Sequence, residues 1–417
     1  MNIDTGDTAW LLVSTALVML MTPALSIFYG GMVRSKNILA TVMQSFVSLG
    51  VISILWMLYG YSLSFGPDVH HIIGNLDWAM LNHVGAEPYP FYSKTVPHQL
   101  FMLFQMMFAV ITPALITGAF AERFKFKTYL VFLVVWFTFI YCPIAHWIWG
   151  QGGWIKELGG LDFAGGMVVH IASGMSALVA TLLIGKRIGW RKGPMQPHNL
   201  SLTLLGASLL WFGWFGFNAG SALGANALAV KAFLTTQLAA AAAAMGWLLV
   251  EWKRGGRPTA LGIASGAVAG LVSITPAAGY VEPIWAVVIG FIGGIVCYGA
   301  VRSKFKFNID DSLDAVGIHG VGGIWGSIAT GIFASTGLIA GNAVLLKAQL
   351  IGTFSVILYS LAMTSVIIVI LERTMGLRVT KSQEVQGLDL SQHGERGYNL
   401  DDLDISTSFA REHGLIS

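Results

Sequence analysis

The stretch Asp162-Phe-Ala-Gly-Gly-Met-Val-Val-His170-Ile-Ala-Ser-Gly174 has a counterpart in Asp311-Ser-Leu-Asp314-Ala-Val-Gly-Ile-His319-Gly-Val-Gly-Gly323. In each, an aspartate precedes a histidine by eight residues and glycines crowd both sides. On a helix that spacing is just over two turns, about 12 Å. It predicts an aspartate near a membrane surface and a histidine near mid-membrane, on roughly one helix face. An imidazole inside an apolar span is expensive and points to function. The bland reading is a pair of core histidines, each bonded to a carbonyl or a serine. The matched contexts argue against it.

Composition supports a bilayer setting. Of 417 residues, 55% are hydrophobic and 11% charged, and the mean hydropathy is +0.69. A soluble domain carries about 25% charged residues, so the chain reads as a polytopic all-α membrane protein. The 50 glycines suit close helix packing in lipid. The net charge of +3 carries no nucleic-acid signal, because the basic residues fall in short loops. Cys142 and Cys297 lie in apolar runs near opposite faces, so no disulfide is expected. No secretory leader is expected either, since Arg34 follows the first apolar run.

A bilayer core needs about 20 apolar residues per helix. Eleven segments qualify, at about 8–32, 39–65, 98–121, 128–147, 163–185, 200–220, 227–251, 259–278, 283–301, 313–335 and 346–371. Alternate loops hold all of the 24 basic residues except Lys94, Lys156, Lys231 and Lys347. By the positive-inside rule the N-terminus is outside and the C-terminus inside. Eleven divides into five, five and one. The halves, about 8–185 and 200–335, each end on a histidine stretch, and an odd helix number inverts the second. Transporters built on this plan place their sites at the repeat interface near mid-membrane. Residues 1–371 then form the transmembrane domain, and 372–417 a cytosolic tail too short for an appended enzyme domain. Leu238–Met245, mostly alanine, reads as a helix-packing face. Trp147, Trp149 and Trp154 read as interface anchors.

Motifs along nearly the whole chain resemble the Amt/Mep/Rh ammonium-transporter superfamily, on its Amt side. They are Phe28-Tyr-Gly-Gly-Met-Val-Arg-Ser-Lys-Asn37, Phe104-Gln-Met-Met-Phe108-Ala, Gly118-Ala-Phe-Ala-Glu-Arg123, His146-Trp-Ile-Trp149-Gly, Trp214-Phe-Gly-Phe217-Asn-Ala-Gly-Ser221, and the two histidine stretches. The resemblance implies an outer vestibule of Phe108, Trp149 and Ser221 that recruits ammonium, with methylammonium as an analogue. It implies a gate of stacked Phe108 and Phe217, a twin-histidine pore of His170 and His319, and an essential acid at Asp162. It also implies a homotrimer in the cell (inner) membrane, with one pore per subunit. The tail segment Gly387-Leu-Asp389-Leu-Ser-Gln-His393-Gly-Glu395-Arg-Gly-Tyr398 resembles the family's regulatory motif. That motif docks on neighbouring subunits and supports control by PII-type signalling proteins.

These residue types suit the cargo. Aromatic faces attract a cation by about 0.5–2 kcal/mol each, and a serine hydroxyl accepts a hydrogen bond. Carrying a bare ion through an apolar pore costs up to tens of kcal/mol. Deprotonating an amine whose pKa lies roughly two units above the ambient pH costs about 3 kcal/mol. Ammonium therefore has a route that potassium lacks, which is to lose its proton and cross as ammonia while the proton travels separately. Rival readings are an ammonium sensor with little flux and a Rh-like channel for neutral gas. Trp149 argues against the second, since cation recruitment would serve nothing there. Enzyme function is not expected, nor is a cofactor. Two histidines with distant carboxylates fall short of the three or four donors a catalytic metal needs.

Overall fold

Two intramembrane polar stretches in an otherwise apolar chain call for a bundle that closes around them, and the computed structural model forms one. It describes residues 2–193 and 195–398. The long helices are α1 Thr5–Met32, α2 Ser35–Phe65, α3 His98–Phe120, α4 Phe126–Glu157, α5 Gly166–Ile184, α6 Leu200–Ala219, α7 Ala227–Gly255, α9 Pro283–Phe307, α10 Val316–Phe333 and α11 Ala343–Thr374. These ten are long and apolar enough to cross a membrane. The segment expected at 259–278 is instead a shorter apolar helix, α8, Ala260–Ile274. At 1.5 Å per residue it is about 22 Å long. Pro276 stands just beyond it and cannot continue the ladder. The helix sits inside the bundle, buried from Ala264 to Ile274.

Caps set many of the boundaries. Asp4 accepts from Asp7 N, Asn199 from Leu202 N, Asn226 from Leu228 N and Ala229 N, and Thr259 from Gly262 N. Each satisfies a donor that the first helical turn leaves open. The alanine run of α7 is the packing face expected of it: Ala239, Ala240 and Ala243 are fully buried, and Gly290 and Gly294 of α9 lie against its main chain. The loop after α2 holds a short antiparallel ribbon, Asp68–Val69 with Ile73–Gly74. Around it Tyr61, Trp78, Tyr89, Tyr92 and Phe101 pack ring on ring.

At the opposite end, where the basic turns lie, Arg123 is fully buried. It donates to the carbonyls of Ala119, Ala121, Gly185 and Asp310 and to Ser312 Oγ. Beside it Arg187 grips Asp310 at 2.7 Å and Glu122 at 3.1 Å, and Arg34 reaches Glu122 at 2.8 Å. Buried charges survive only when paired in this way.

The tail packs beneath this end on its own chain. Thr380 and Gln383 form a capping box on α12, Lys381–Gln386. Asp389 accepts from Ala40 N at 2.8 Å in the first turn of α2, and Leu388 N donates to Asn37. His393 meets Phe126 edge to face, Gly387 sits against Lys36, and Tyr398 bonds His198 at 2.8 Å. Glu395 N donates to the Asp389 carbonyl. The remainder of the expected tail, 399–417, lies outside the described residues.

Candidate functional site

The expected two-turn spacing from aspartate to histidine is corrected by the structure. Neither aspartate is on the helix of its histidine; each caps it. Asp162 precedes α5, and its carboxylate accepts four main-chain bonds, from Gly165, Gly166, Met167 and Val168, at 2.6–3.2 Å. Gly165, at φ 114°, makes the turn that allows this. Burial pushes the Asp162 pKa up to about 6, against the four donors that favour the ionised form. Asp311 repeats the arrangement, accepting from Ala315 N and Val316 N.

Both histidines then fall in π-helical turns, Gly166–Ile171 and Val316–Gly320. A third π turn, Phe215–Ala219, carries Phe217. Such turns insert one residue into the helical ladder and cluster at functional sites. Beside them α5 and α10 touch main chain to main chain, since a Cβ on Gly174 would overlap the Gly320 backbone. That contact brings His170 Nδ1 to 3.3 Å from His319 Nδ1. The rings lie 5.3 Å apart and 23° from parallel. One ring nitrogen must donate and the other accept. Both side chains are buried, and His170 Nε2 has no partner among the described residues.

On one side of His170 lies Phe217, with ring centroids 6.1 Å apart. Phe217 packs on Phe108 at 4.3 Å and 30°, and Phe108 meets Trp149 edge-on at 5.8 Å. Outside this lid an open cavity of about 360 Å³ is bordered by Phe108, Trp149, Asp162, Ser221 and Tyr280. Inside it a void of about 10 Å³, bordered by Phe217, His170, His319 and Trp214, has room for roughly one water-sized molecule. Trp149 is held by its Nε1–H on the Asp162 carbonyl at 2.8 Å. The Ser221 hydroxyl donates to the Phe217 carbonyl at 2.8 Å, which leaves its oxygen free to accept.

The structure therefore brings these residues together in order, Trp149 and Ser221 at the open cavity, Phe108 and Phe217 between, and His170 and His319 at the inner void. Two further residues join them. Trp214 stacks on His170 at 5.5 Å and is fixed by Thr275 Oγ1 at 2.9 Å. Gln105 borders the outer cavity with a buried Oε1 that has no partner among the described residues. A polar side chain one turn before Phe108 was the available signal for it. Among the described residues no group of three or more metal-ligating side chains occurs.

A bundle of ten membrane-length helices around a narrow, lidded apolar lane defines a multi-pass membrane transport protein. Its relatives agree in length and sequence. A family model described as Ammonium Transporter Family matches residues 9–398. The ammonium transporter of Bacillus subtilis is 52% identical over 403 residues, covering 94% of this chain and 98% of the relative. Ammonium transporter Amt1 of Archaeoglobus fulgidus is 50% identical over 399 residues, covering 94% and 99%. Among solved structures, Candida albicans Mep2 superposes with a TM-score of 0.87 at 38% identity, covering 96% of this chain and 92% of that one. The chain belongs to the ammonium transporter family, and its relatives are transporters rather than enzymes.

Proposed function

We propose that this protein carries ammonium across the cell (inner) membrane by recruiting the cation at the outer cavity, deprotonating it and passing ammonia through the lane, with the proton transferred separately. The carrying observation is buried His170, whose Nε2 has no partner among the described residues and whose side chain borders an apolar void sized for one small molecule. A potassium ion offers no proton to give up, and an unpaired charge in that void is prohibitively costly. Phe108, Trp149 and Ser221 hold the cation by ring faces and a hydroxyl acceptor. Phe108 and Phe217 exclude water and admit the neutral molecule. His170 and His319 bond it and relay the proton. Asp162 fixes the start of α5 and the Trp149 ring.

The same reading has α8 as an eleventh crossing, two inverted five-helix units followed by α11, the N-terminus outside and the C-terminus inside. It makes the protein a homotrimer whose tail, through Gly387, Asp389, His393, Glu395 and Tyr398, answers to a PII-type protein. The names of the relatives support transport over sensing. Purified protein in proteoliposomes on a solid-supported membrane tests the core of it. Ammonium pulses should give inward currents that potassium does not, and His170→Ala with His319→Ala should abolish or de-select them. Undiminished, selective current in the double variant would overturn the assignment.

A further inference from the structure

The rim of the outer cavity carries a charge that recruitment by rings and a hydroxyl does not use. Of the described residues that border this cavity, two are charged, Asp162 and Lys156. Asp162 is buried, and its carboxylate is already shared among four main-chain N–H donors. Lys156, at the end of α4, is exposed. Its Nζ donates to the Trp149 carbonyl at 3.1 Å and stands 4.4 Å from the centroid of the Phe91 ring. Neither partner is an anion. Glu157, next in the chain, turns instead to His71 at 3.5 Å. Lys231, in the first turns of α7, differs in being matched by Glu282 at 2.6 Å. Among the described residues Lys156 has no ion pair, so its charge stands unneutralised in the wall of a cavity that collects cations.

That charge acts on some occupants and not on others. A nearby like charge disfavours the protonated form of an amine and leaves the neutral form untouched. The head of Lys156 is itself an alkylammonium, held at the rim by a ring face and an oxygen acceptor, the same chemistry that holds free ammonium. Across roughly 10 Å, at an effective dielectric constant of about 50, one unit charge weakens the binding of a monovalent cation about threefold. We propose that Lys156 is a selectivity-determining residue whose positive charge raises the ammonium concentration needed to fill the outer cavity and favours the neutral amine over the protonated one there, resting on the recruitment of ammonium at that cavity. A purely positioning role is the competing account, in which the lysine ties down the Trp149 main chain and so steadies its ring. The two accounts predict opposite signs. Removing a repulsive charge tightens cation binding, whereas loosening Trp149 weakens it.

A charge series in the full-length protein tests this, with ammonium-pulse currents from proteoliposomes on a solid-supported membrane. Lys156→Arg keeps the charge and should retain the wild-type half-saturation concentration. Lys156→Gln should lower it about threefold and Lys156→Glu about ninefold, one equal step per unit charge. Raising inert salt from about 0.01 to about 1 M shortens the Debye length from about 30 to about 3 Å, and the spread among the variants should collapse. Size-exclusion elution and melting temperature matching wild type verify the fold of each variant. A higher half-saturation concentration in Lys156→Gln would assign the lysine to positioning Trp149 and overturn the electrostatic role. A flat series, or differences that persist at high salt, would overturn it as well. If wild type conducts ammonium selectively while the series is flat, Lys156 alone is reassigned. Absence of an ammonium current in wild type would remove the transport reading and this role with it.

Discussion

Asp162 shows how much one side chain does here. Its two oxygens take four N–H bonds, and its carbonyl holds Trp149. An amide offers one acceptor oxygen and turns two N–H donors toward N–H donors. Asp162→Asn should therefore lower thermal stability by about 1–3 kcal/mol, the penalty of unsatisfied buried donors, and reduce transport. A shift in melting temperature alongside proteoliposome flux checks this; a variant with wild-type values for both would show the capping bonds to be dispensable. Trp149→Leu with Ser221→Ala removes recruitment and leaves the lid and histidines intact. The half-saturation concentration for ammonium current should rise severalfold while the maximal current changes less. At this scale the sequence was readable where chemistry stood out against an apolar background. His170 and His319 are such residues, and so is Asp162. Thr275 was not readable, because the Trp214 indole that donates to it lies 61 residues away and no local pattern joins them.

Helices α5 and α10 carry their histidines on π turns, and each turn follows an aspartate cap. The sequence showed that these stretches were paired but not how they were built. A period of 3.6 was assumed through both, whereas the caps pull the first turn out of α geometry and the extra residue in the π turn changes which face the ring occupies. The same limit explains α8. The apolar run continues past Ile274, but Pro276 stops the helix, and hydropathy alone does not see that. The close contact of these elements gives a further prediction. Gly174→Ala places a methyl against the Gly320 main chain. Overpacking of this kind typically costs about 1–3 kcal/mol, and α5 and α10 should move apart, lengthening the bond between the histidines. Transport should fall well below wild type, and a crystal structure of the variant should show the two rings separated. Full activity would mean that the lane tolerates slack.

For the molecule as a whole, the ion network at the basic end sets the acid limit. Burial pushes Glu122 and Asp310 up, but Arg187 and its neighbours outweigh it and hold both below the ordinary carboxylate range. Folded pKa values below the unfolded ones mean that this stabilisation is complete above the ordinary carboxylate range and is lost as pH falls through the depressed values. Arg187→Gln strands the buried Asp310 carboxylate, while Glu122 keeps Arg34; this should cost about 3–5 kcal/mol at pH 7 and less near pH 4, where Asp310 can protonate. Melting temperatures across that interval check it, and a pH-independent deficit would refute it. Truncation after Thr380 removes the contacts of the tail with Asn37, Ala40 and Phe126. It should impair flux while leaving the bundle and its oligomeric state intact by size-exclusion chromatography. The lane also has a consequence for the way the protein is made. Its parts enter the membrane in the order Phe108, His170, Phe217, His319, and the two imidazoles that touch are 149 residues apart. A nascent chain that has delivered α5 holds one histidine with neither lid partner nor proton partner. The contact between the two imidazoles therefore forms only once α10 has been made, which places it among the last features of the fold to be completed.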